Sequence, residues 1–137
     1  MDTSATIDRA LQLMSQKAYP DCIGLLQEGI AESPRNVDLY LYLAYVYAKQ
    51  DLVDECIDVL EKAVDVAPAS AKVHYNLGVA YQKRHNITEA KDEFLRALGL
   101  DATYAAPKQA LDFITRIHVE EADSDEEEAE SVTAQQS

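Results

Sequence analysis

Apolar residues recur along this chain at spacings of three and four, and the whole pattern returns at a fixed interval, the one that separates Leu13 from Tyr47 and Tyr47 from Tyr81. At that offset Ala10, Ala44 and Gly78 coincide, as do Cys22, Cys56 and Ala90; Leu26, Leu60 and Phe94; and Gly29, Ala63 and Ala97. Pro34 and Pro68 fall on one beat, and Asp21, Glu55 and Glu89 on another. Each column keeps a size class or a charge class, as stacked copies of one small unit require. The three-and-four spacing predicts helix, and a polar break splits each copy into two helices.

In the third copy, 71–104, Ser70 is a natural N-cap, and Val73, Leu77, Gly78 and Tyr81 form the first stripe. Lys83-Arg84-His85-Asn86 interrupts it, with Asn86 placed to cap a second stripe of Ile87, Ala90, Phe94, Ala97 and Leu98. The second copy, 37–70, repeats this: Asn36 as cap, then Tyr40, Leu43, Ala44 and Tyr47, a turn at Gln50-Asp51, then Val53, Cys56, Leu60, Ala63 and Val64. Pro68 stops that helix, because proline lacks an N–H and disfavours helix in the residue before it. The first copy, 3–36, is weaker at its start, with Arg9 where Leu43 and Leu77 stand and Thr6 in an aromatic position. Terminal repeats depart in this way because their outer face has no neighbour. One further helix, about 105–120, follows; Thr103 is its expected cap, Pro107 suits its first turn, and Ala106, Ala110, Phe113, Ile114 and Ile117 form a stripe that would cap the stack. One domain over 1–120 is expected, with a disordered acidic tail at 121–137.

Charge and composition narrow the function. The net charge is −13, but residues 1–118 hold 17 acids against 12 bases, and eight carboxylates lie between Glu120 and Glu130. Neither part offers the basic stripe that nucleic-acid binding needs, and an anionic membrane surface would repel both. No apolar run approaches the roughly 18–20 residues of a membrane span, and no signal-peptide pattern opens the chain, so it reads as soluble and cytoplasmic. The two cysteines occupy one position of adjacent units, about 8–10 Å apart by helix packing. That is too far for a disulfide, so they read as small buried side chains. His74, His85 and His118 form no metal-ligand spacing, there is no phosphate loop or nucleophile motif, and pairs such as Asp54-Glu55 and Asp92-Glu93 read as solvated helix faces. No cofactor, metal or catalytic residue is expected, and the chain reads as not an enzyme. The acidic tail reads first as a solubilising terminus. It would also suit a lure for a basic partner, or a strand lying over Lys72, Lys83 and Arg84; Ser124, followed by Asp125-Glu126-Glu127, resembles an acidophilic kinase site.

These residues resemble the tetratricopeptide repeat, whose unit of about 34 residues carries an aromatic, a Leu-Gly or Leu-Ala pair and Tyr in its first helix. The second helix carries a small residue, an aromatic or Leu, and Ala, with a closing Pro. The third copy reads His74, Leu77-Gly78, Tyr81, Ala90, Phe94, Ala97; the second reads Tyr40, Leu43-Ala44, Tyr47, Cys56, Leu60, Ala63, Pro68; the first keeps Ala10, Leu13, Cys22, Leu26, Gly29 and Pro34. The resemblance implies an all-α, right-handed α-solenoid of three antiparallel helix pairs and a capping helix, about seven helices, whose first helices line a concave groove.

By family position that groove would present Ser4, Ile7, Asp8, Leu11, Met14 and Ser15 from the first copy; Asp38, Leu41, Tyr42, Tyr45, Ala48 and Lys49 from the second; and Lys72, Tyr75, Asn76, Val79, Gln82 and Lys83 from the third. Ile7, Leu11, Met14, Leu41, Tyr42, Tyr45, Tyr75 and Val79 would form one apolar strip. The resemblance implies an adaptor, scaffold or chaperone-like protein that holds an apolar or aromatic segment of a protein partner there. The alternative is a self-assembling structural protein, with the strip covered by the last helix or by a second copy. The carboxylate clamp by which some co-chaperones of this family grip acidic tails of heat-shock chaperones would fall on Ile7, Leu11, Tyr42, Lys72 and Asn76; only Lys72 matches, so the clamp is expected to be absent. An apolar groove is similar instead to the three-repeat secretion chaperones.

Overall fold

The computed structural model describes residues 2–118 and 120; the acidic tail expected over 121–137, Ser124 included, lies outside the described residues. Six helices are α1 Thr3–Ser15, α2 Tyr19–Glu32, α3 Val37–Lys49, α4 Val53–Val66, α5 Ala71–Lys83 and α6 Ile87–Leu100. A seventh, α7, runs over 105–118, and no strand occurs among the described residues. The connections alternate between three and four residues, so each helix lies antiparallel to the next and packs mainly on its sequence neighbours. Among the described residues no helix is long and apolar enough to cross a membrane.

The helix ends explain why the repeat is so regular. The first helix of each pair is capped by a side chain at one repeating position: Asp2 accepts from Ser4 N–H, Asn36 from Asp38 N–H and Ser70 from Val73 N–H. Each of these helices then ends in a Schellman turn. Lys17, Asp51 and His85, each one repeat from the next, take left-handed backbone at φ 58, 62 and 68°. The following N–H groups of Ala18, Leu52 and Asn86 reach back to Leu13, Tyr47 and Tyr81 carbonyls at 2.9, 3.0 and 2.9 Å. Asn86 stands at the N-cap of α6 but makes no side-chain cap bond, contrary to the sequence expectation; nor do Ala18 and Leu52 at the same position. The tight turn satisfies the last carbonyls of the first helix through the N–H of the residue that begins the second.

A third set of contacts ties each first helix to the turn before it. The Thr6 hydroxyl donates to the Asp2 carbonyl, the Tyr40 hydroxyl to the Pro34 carbonyl at 2.7 Å, and His74 Nε2 lies 2.8 Å from the Pro68 carbonyl. His74 also places Nδ1 2.7 Å from a Glu93 carboxylate oxygen, and the other carboxylate oxygen accepts from Arg96. Glu93 is buried, which corrects its reading as part of a solvated face. At the equivalent positions the second repeat has Tyr40 and Val59, so a hydrogen-bonded His–Glu pair has replaced an aromatic–aliphatic pair. Asp54, by contrast, is exposed and bridges to Arg84 at 3.1 Å.

One apolar core runs from α1 to α5 through Ala10, Leu26, Leu39, Val46, Leu60 and Val73, and a second forms around Phe94 and Ile114 beneath α7. Cys22 and Cys56 are free and buried. Where the first two repeats pair Ala10 with Leu26 and Ala44 with Leu60, the third pairs Gly78 with Phe94. A Cβ at Gly78 would sit 2.6 and 2.7 Å from two ring carbons of Phe94, so the missing methyl makes room for the larger ring. The last helix departs from expectation in two ways. Thr103 does not cap it; its N–H and hydroxyl both bond the Asp101 carboxylate, at 3.0 and 2.6 Å, within the preceding turn. The helix buries Pro107 and Ile114, with Ala110 and Leu111 half-buried, while Phe113 and Ile117 of the expected stripe face solvent. Pro107 enters the core, and this phase turns the 113/117 edge outward.

Candidate functional site

The first helices carry the candidate groove. Between α3 and α5, with α4 beneath, lies a cavity of about 320 Å³. Leu41, Tyr45, Ala48 and Lys49 enter it from α3, Val53, Cys56 and Leu60 from α4, and Asn76, Val79, Ala80 and Lys83 from α5. Each helix contributes residues three or four apart, so one face of each lines the wall. Tyr45 is 48% exposed although its ring is large and apolar. Lys49 Nζ stands 5.3 Å from the centre of that ring, a cation–π contact that holds the ammonium at the rim. Among the described residues no carboxylate lines the cavity.

Of the residues assigned to the groove by position, Leu41, Tyr45, Asn76, Val79 and Lys83 come together here. Ile7, Met14 and Tyr42 are half-buried against the main core, and Leu11 is exposed on α1. Lys72 is exposed in the first turn of α5, at the end opposite Lys83. Tyr75 is engaged from within: its ring lies 5.8 Å from Phe94 and meets Tyr104 edge-on at 5.5 Å. The strip is therefore divided, with the Tyr75 end covered by the chain itself and the 41/45/79 part open.

Position-by-position reading of first helices missed the α4 residues Val53, Cys56 and Leu60. The available signal was that their stripe faces the gap between successive first helices. Burial pushes the Cys56 thiol above its usual range, and the nearby Lys83 ammonium offsets part of that, so Cys56 is held as a protonated wall residue. Burial likewise raises Cys22, whose thiol donates to the Ala10 carbonyl at 3.3 Å. Tyr81, on the same helix as the groove residues, donates to Glu61 at 3.0 Å; burial first, then that bond and the surrounding carboxylates, push its phenol up to about 12. Burial also raises Tyr104, while bonds from Thr103 lower Asp101. Among the described residues no cluster of His, Cys, Asp and Glu could hold a metal ion. A second cavity, about 280 Å³, opens between α2, α3 and α4 and mixes Ile30, Tyr40 and Val59 with Glu55, Asp58 and Lys62.

Comparison with known proteins places the chain. Tetratricopeptide-repeat family models match residues 37–80 and 71–104. No curated protein matches the sequence. Among solved structures, the N-terminal domain of stress-induced protein-1 from C. elegans is 26% identical, covers 80% of this chain and 94% of its own, and superposes with a TM-score of 0.70. The Sgt2 TPR domain from Aspergillus fumigatus gives 21% identity, 88% and 81% coverage and a TM-score of 0.76. The second TPR domain of human RPAP3, in complex with the HSP70 peptide SGPTIEEVD, gives 23%, 80% and 92%, and 0.73. With two family models matched in the chain and the solved fold shared over most of its length, this protein belongs to the tetratricopeptide-repeat family.

Proposed function

We propose that this protein is a non-enzymatic protein–protein interaction module, an adaptor or chaperone-like holder that takes an apolar or aromatic segment of a protein partner into the groove between α3 and α5. The observation that carries this reading is the open apolar cavity at Leu41, Tyr45 and Val79, with an aromatic ring half exposed at its mouth. Burying one large side chain there is worth about 1.5–3 kcal/mol, roughly 10- to 150-fold in affinity. The RPAP3 domain bound to a peptide supports the class of ligand. It does not extend to the peptide's acidic end, because Ile7, Leu11 and Tyr42 stand where a carboxylate clamp would need polar donors. The test is selection of peptides from a displayed random library on the full chain, with Leu41→Glu/Tyr45→Glu as the counter-selection. Peptides with an aromatic or branched aliphatic anchor should bind and lose at least about 10-fold in the variant. Equal binding to both proteins would refute the groove as the site.

A second reading rests on a different observation. Phe113 and Ile117, one turn apart on α7, are 49% and 38% exposed at the end of the stack. An apolar end face of this kind suits contact with a second copy of the chain. Sedimentation equilibrium should then show mass rising with concentration, and Phe113→Glu/Ile117→Glu should hold the protein at monomer mass. A wild-type chain that stays monomeric at high micromolar concentration excludes this reading.

A further inference from the structure

We propose that the groove continues past α5 onto α7, where Phe113 and Ile117 form a second apolar seat. Its occupant is an extended segment of another protein, with two apolar anchors three residues apart and an acidic residue between them. This rests on the groove reading above and names what the groove selects.

α7 repeats the register of the first helices once more. Leu39, Val73 and Pro107 stand one repeat apart and are all buried, and so are Val46, Ala80 and Ile114. α7 therefore packs in the phase of α3 and α5, and its other faces follow. His74 and Gly78 face α6 through Glu93 and Phe94; one repeat on stand Lys108 and Asp112, exposed and polar, where among the described residues no further pair follows. The outer face of α7 is thus a solvated end. The groove column does the opposite and stays apolar: Leu11, Tyr45, Val79 and Phe113 are one position on four successive first helices. Leu11, Tyr45 and Phe113 are exposed there. Val79 joins the two seats, since it lines the cavity and also packs with the Phe94 and Ile114 cluster. Phe113 and Ile117 therefore open on the groove side of α7, which weighs against a second copy stacked on its outer face.

Charge supplies the other half of the ligand. Lys49 and Lys83 both line the cavity, and among the described residues neither has a carboxylate partner. One repeat after Lys83 the same position holds Ile117, so the Lys83 ammonium stands where the two seats adjoin. A carboxylate on the occupant is welcome there and a cation is repelled. This is not the family's clamp position: Lys72 lies eleven residues back along α5, about 16 Å from Lys83 at the helical rise. Spacing fixes the rest. α5 and α7 share one core cluster, and packed helices stand about 8–10 Å apart. A polyproline-like extended chain rises about 3.1 Å per residue and turns once in three, so anchors three residues apart face the same way about 9 Å apart. One anchor then meets the cavity at Tyr45 and Val79, the next meets Phe113 and Ile117, and the residues between pass Lys83.

The test is amide-shift titration of the full chain, which reads affinities up to millimolar, with a synthetic octapeptide. The peptide carries leucine at its third and sixth positions, glutamate at the fourth and fifth, and glycine or serine elsewhere. Sister peptides replace the second leucine with serine, or both glutamates with glutamine. The second leucine should raise affinity at least about 10-fold. Phe113→Ser/Ile117→Ser should cancel that gain while binding the single-leucine peptide as wild type does, which also shows that the variant is folded. Glutamate should beat glutamine several-fold at 0.1 M salt and lose the advantage at 1 M, as the Debye length shrinks from about 10 Å to about 3 Å. Lys49→Gln/Lys83→Gln should erase it as well. Equal affinity for one and two leucines, a gain that survives in Phe113→Ser/Ile117→Ser, or indifference to glutamate overturns this inference. If single-leucine binding at Tyr45 and Val79 persists in those cases, the groove reading stands. Mass that rises with concentration and falls in Phe113→Ser/Ile117→Ser, with no gain from the second leucine, gives the seat to a second copy and overturns it too. A wild-type chain that binds neither these peptides nor any from the library refutes both readings together.

Discussion

Replacing Gly78 with alanine should destabilise the protein, and adding Phe94→Leu should repair most of the damage. Alanine favours a helix interior over glycine by about 1 kcal/mol. Against this, the new methyl would lie 2.6 Å from Cε1 and 2.7 Å from Cδ1 of Phe94, closer than atoms in contact can sit. Phe94 is fully buried and flanked by Tyr75, with Ile114 of α7 in the same cluster, so its ring has little room to retreat. Overpacking of this kind costs about 1–3 kcal/mol, and the severe overlap argues for the upper half, leaving a net loss of about 1–2 kcal/mol. Phe94→Leu alone leaves a void and costs about 1 kcal/mol or somewhat more. The double variant carries the Ala–Leu pair that repeats one and two use at the same positions, and should lie within about 0.5 kcal/mol of wild type, a coupling of about 2 kcal/mol. Urea denaturation, comparing midpoints at constant slope, measures all four proteins. Gly24→Ala serves as a control: among the described residues nothing lies within 4 Å of its added Cβ, so it should gain about 0.5–1 kcal/mol. Additive effects of the two changes within about 0.5 kcal/mol, or a Gly78→Ala protein as stable as Gly24→Ala, would refute the size-compensation reasoning.

Three further outcomes follow from features of the fold. Lys17→Gly, Asp51→Gly and His85→Gly should each stabilise by about 0.5–1 kcal/mol, since each residue holds left-handed backbone that glycine adopts without Cβ strain; thermal or urea midpoints that fall would contradict this. Glu93→Val should cost about 2–3 kcal/mol by stripping a buried partner from His74, while His74→Tyr/Glu93→Val, which copies Tyr40 and Val59, should recover to wild type or better by the same assay. Tyr81 adds stability that is complete below its ordinary value near 10 and is lost as pH rises from there to about 12, because the unfolded phenol gives up its proton first; Tyr81→Phe should flatten that stretch of an alkaline stability curve, and an unaltered slope would count against the Glu61 bond as its cause.

Much of the fold is legible in the sequence because each repeat states it again. The caps at Asn36 and Ser70, the stop at Pro68 and the small-residue columns are local signals, and local signals suffice when every element packs on its sequence neighbours. Columns where two residues change together were harder to read. Glu93 looks like a surface acid until it is set beside His74 on the preceding helix and compared with Val59 and Tyr40. The phase of α7 also escaped, because 105–118 offers two apolar edges and only contact with α5 and α6 chooses between them. At the candidate site, family position identifies Leu41, Tyr45, Asn76, Val79 and Lys83. It cannot see that Tyr104 covers Tyr75 or that α4 forms the floor, since both are consequences of how three elements meet.

The alternation of short turns makes this a chain in which each hairpin leans only on the one before and the one after. Such an array opens from its ends, one unit at a time, as a row of coupled domains loses order first where a neighbour is missing. The pocket is built from α3, α4 and α5, the middle of the row. Hydrogen exchange should therefore release the amides of α1 early and those of α3 to α5 late. The surface that would meet a partner thus stays assembled while the ends breathe.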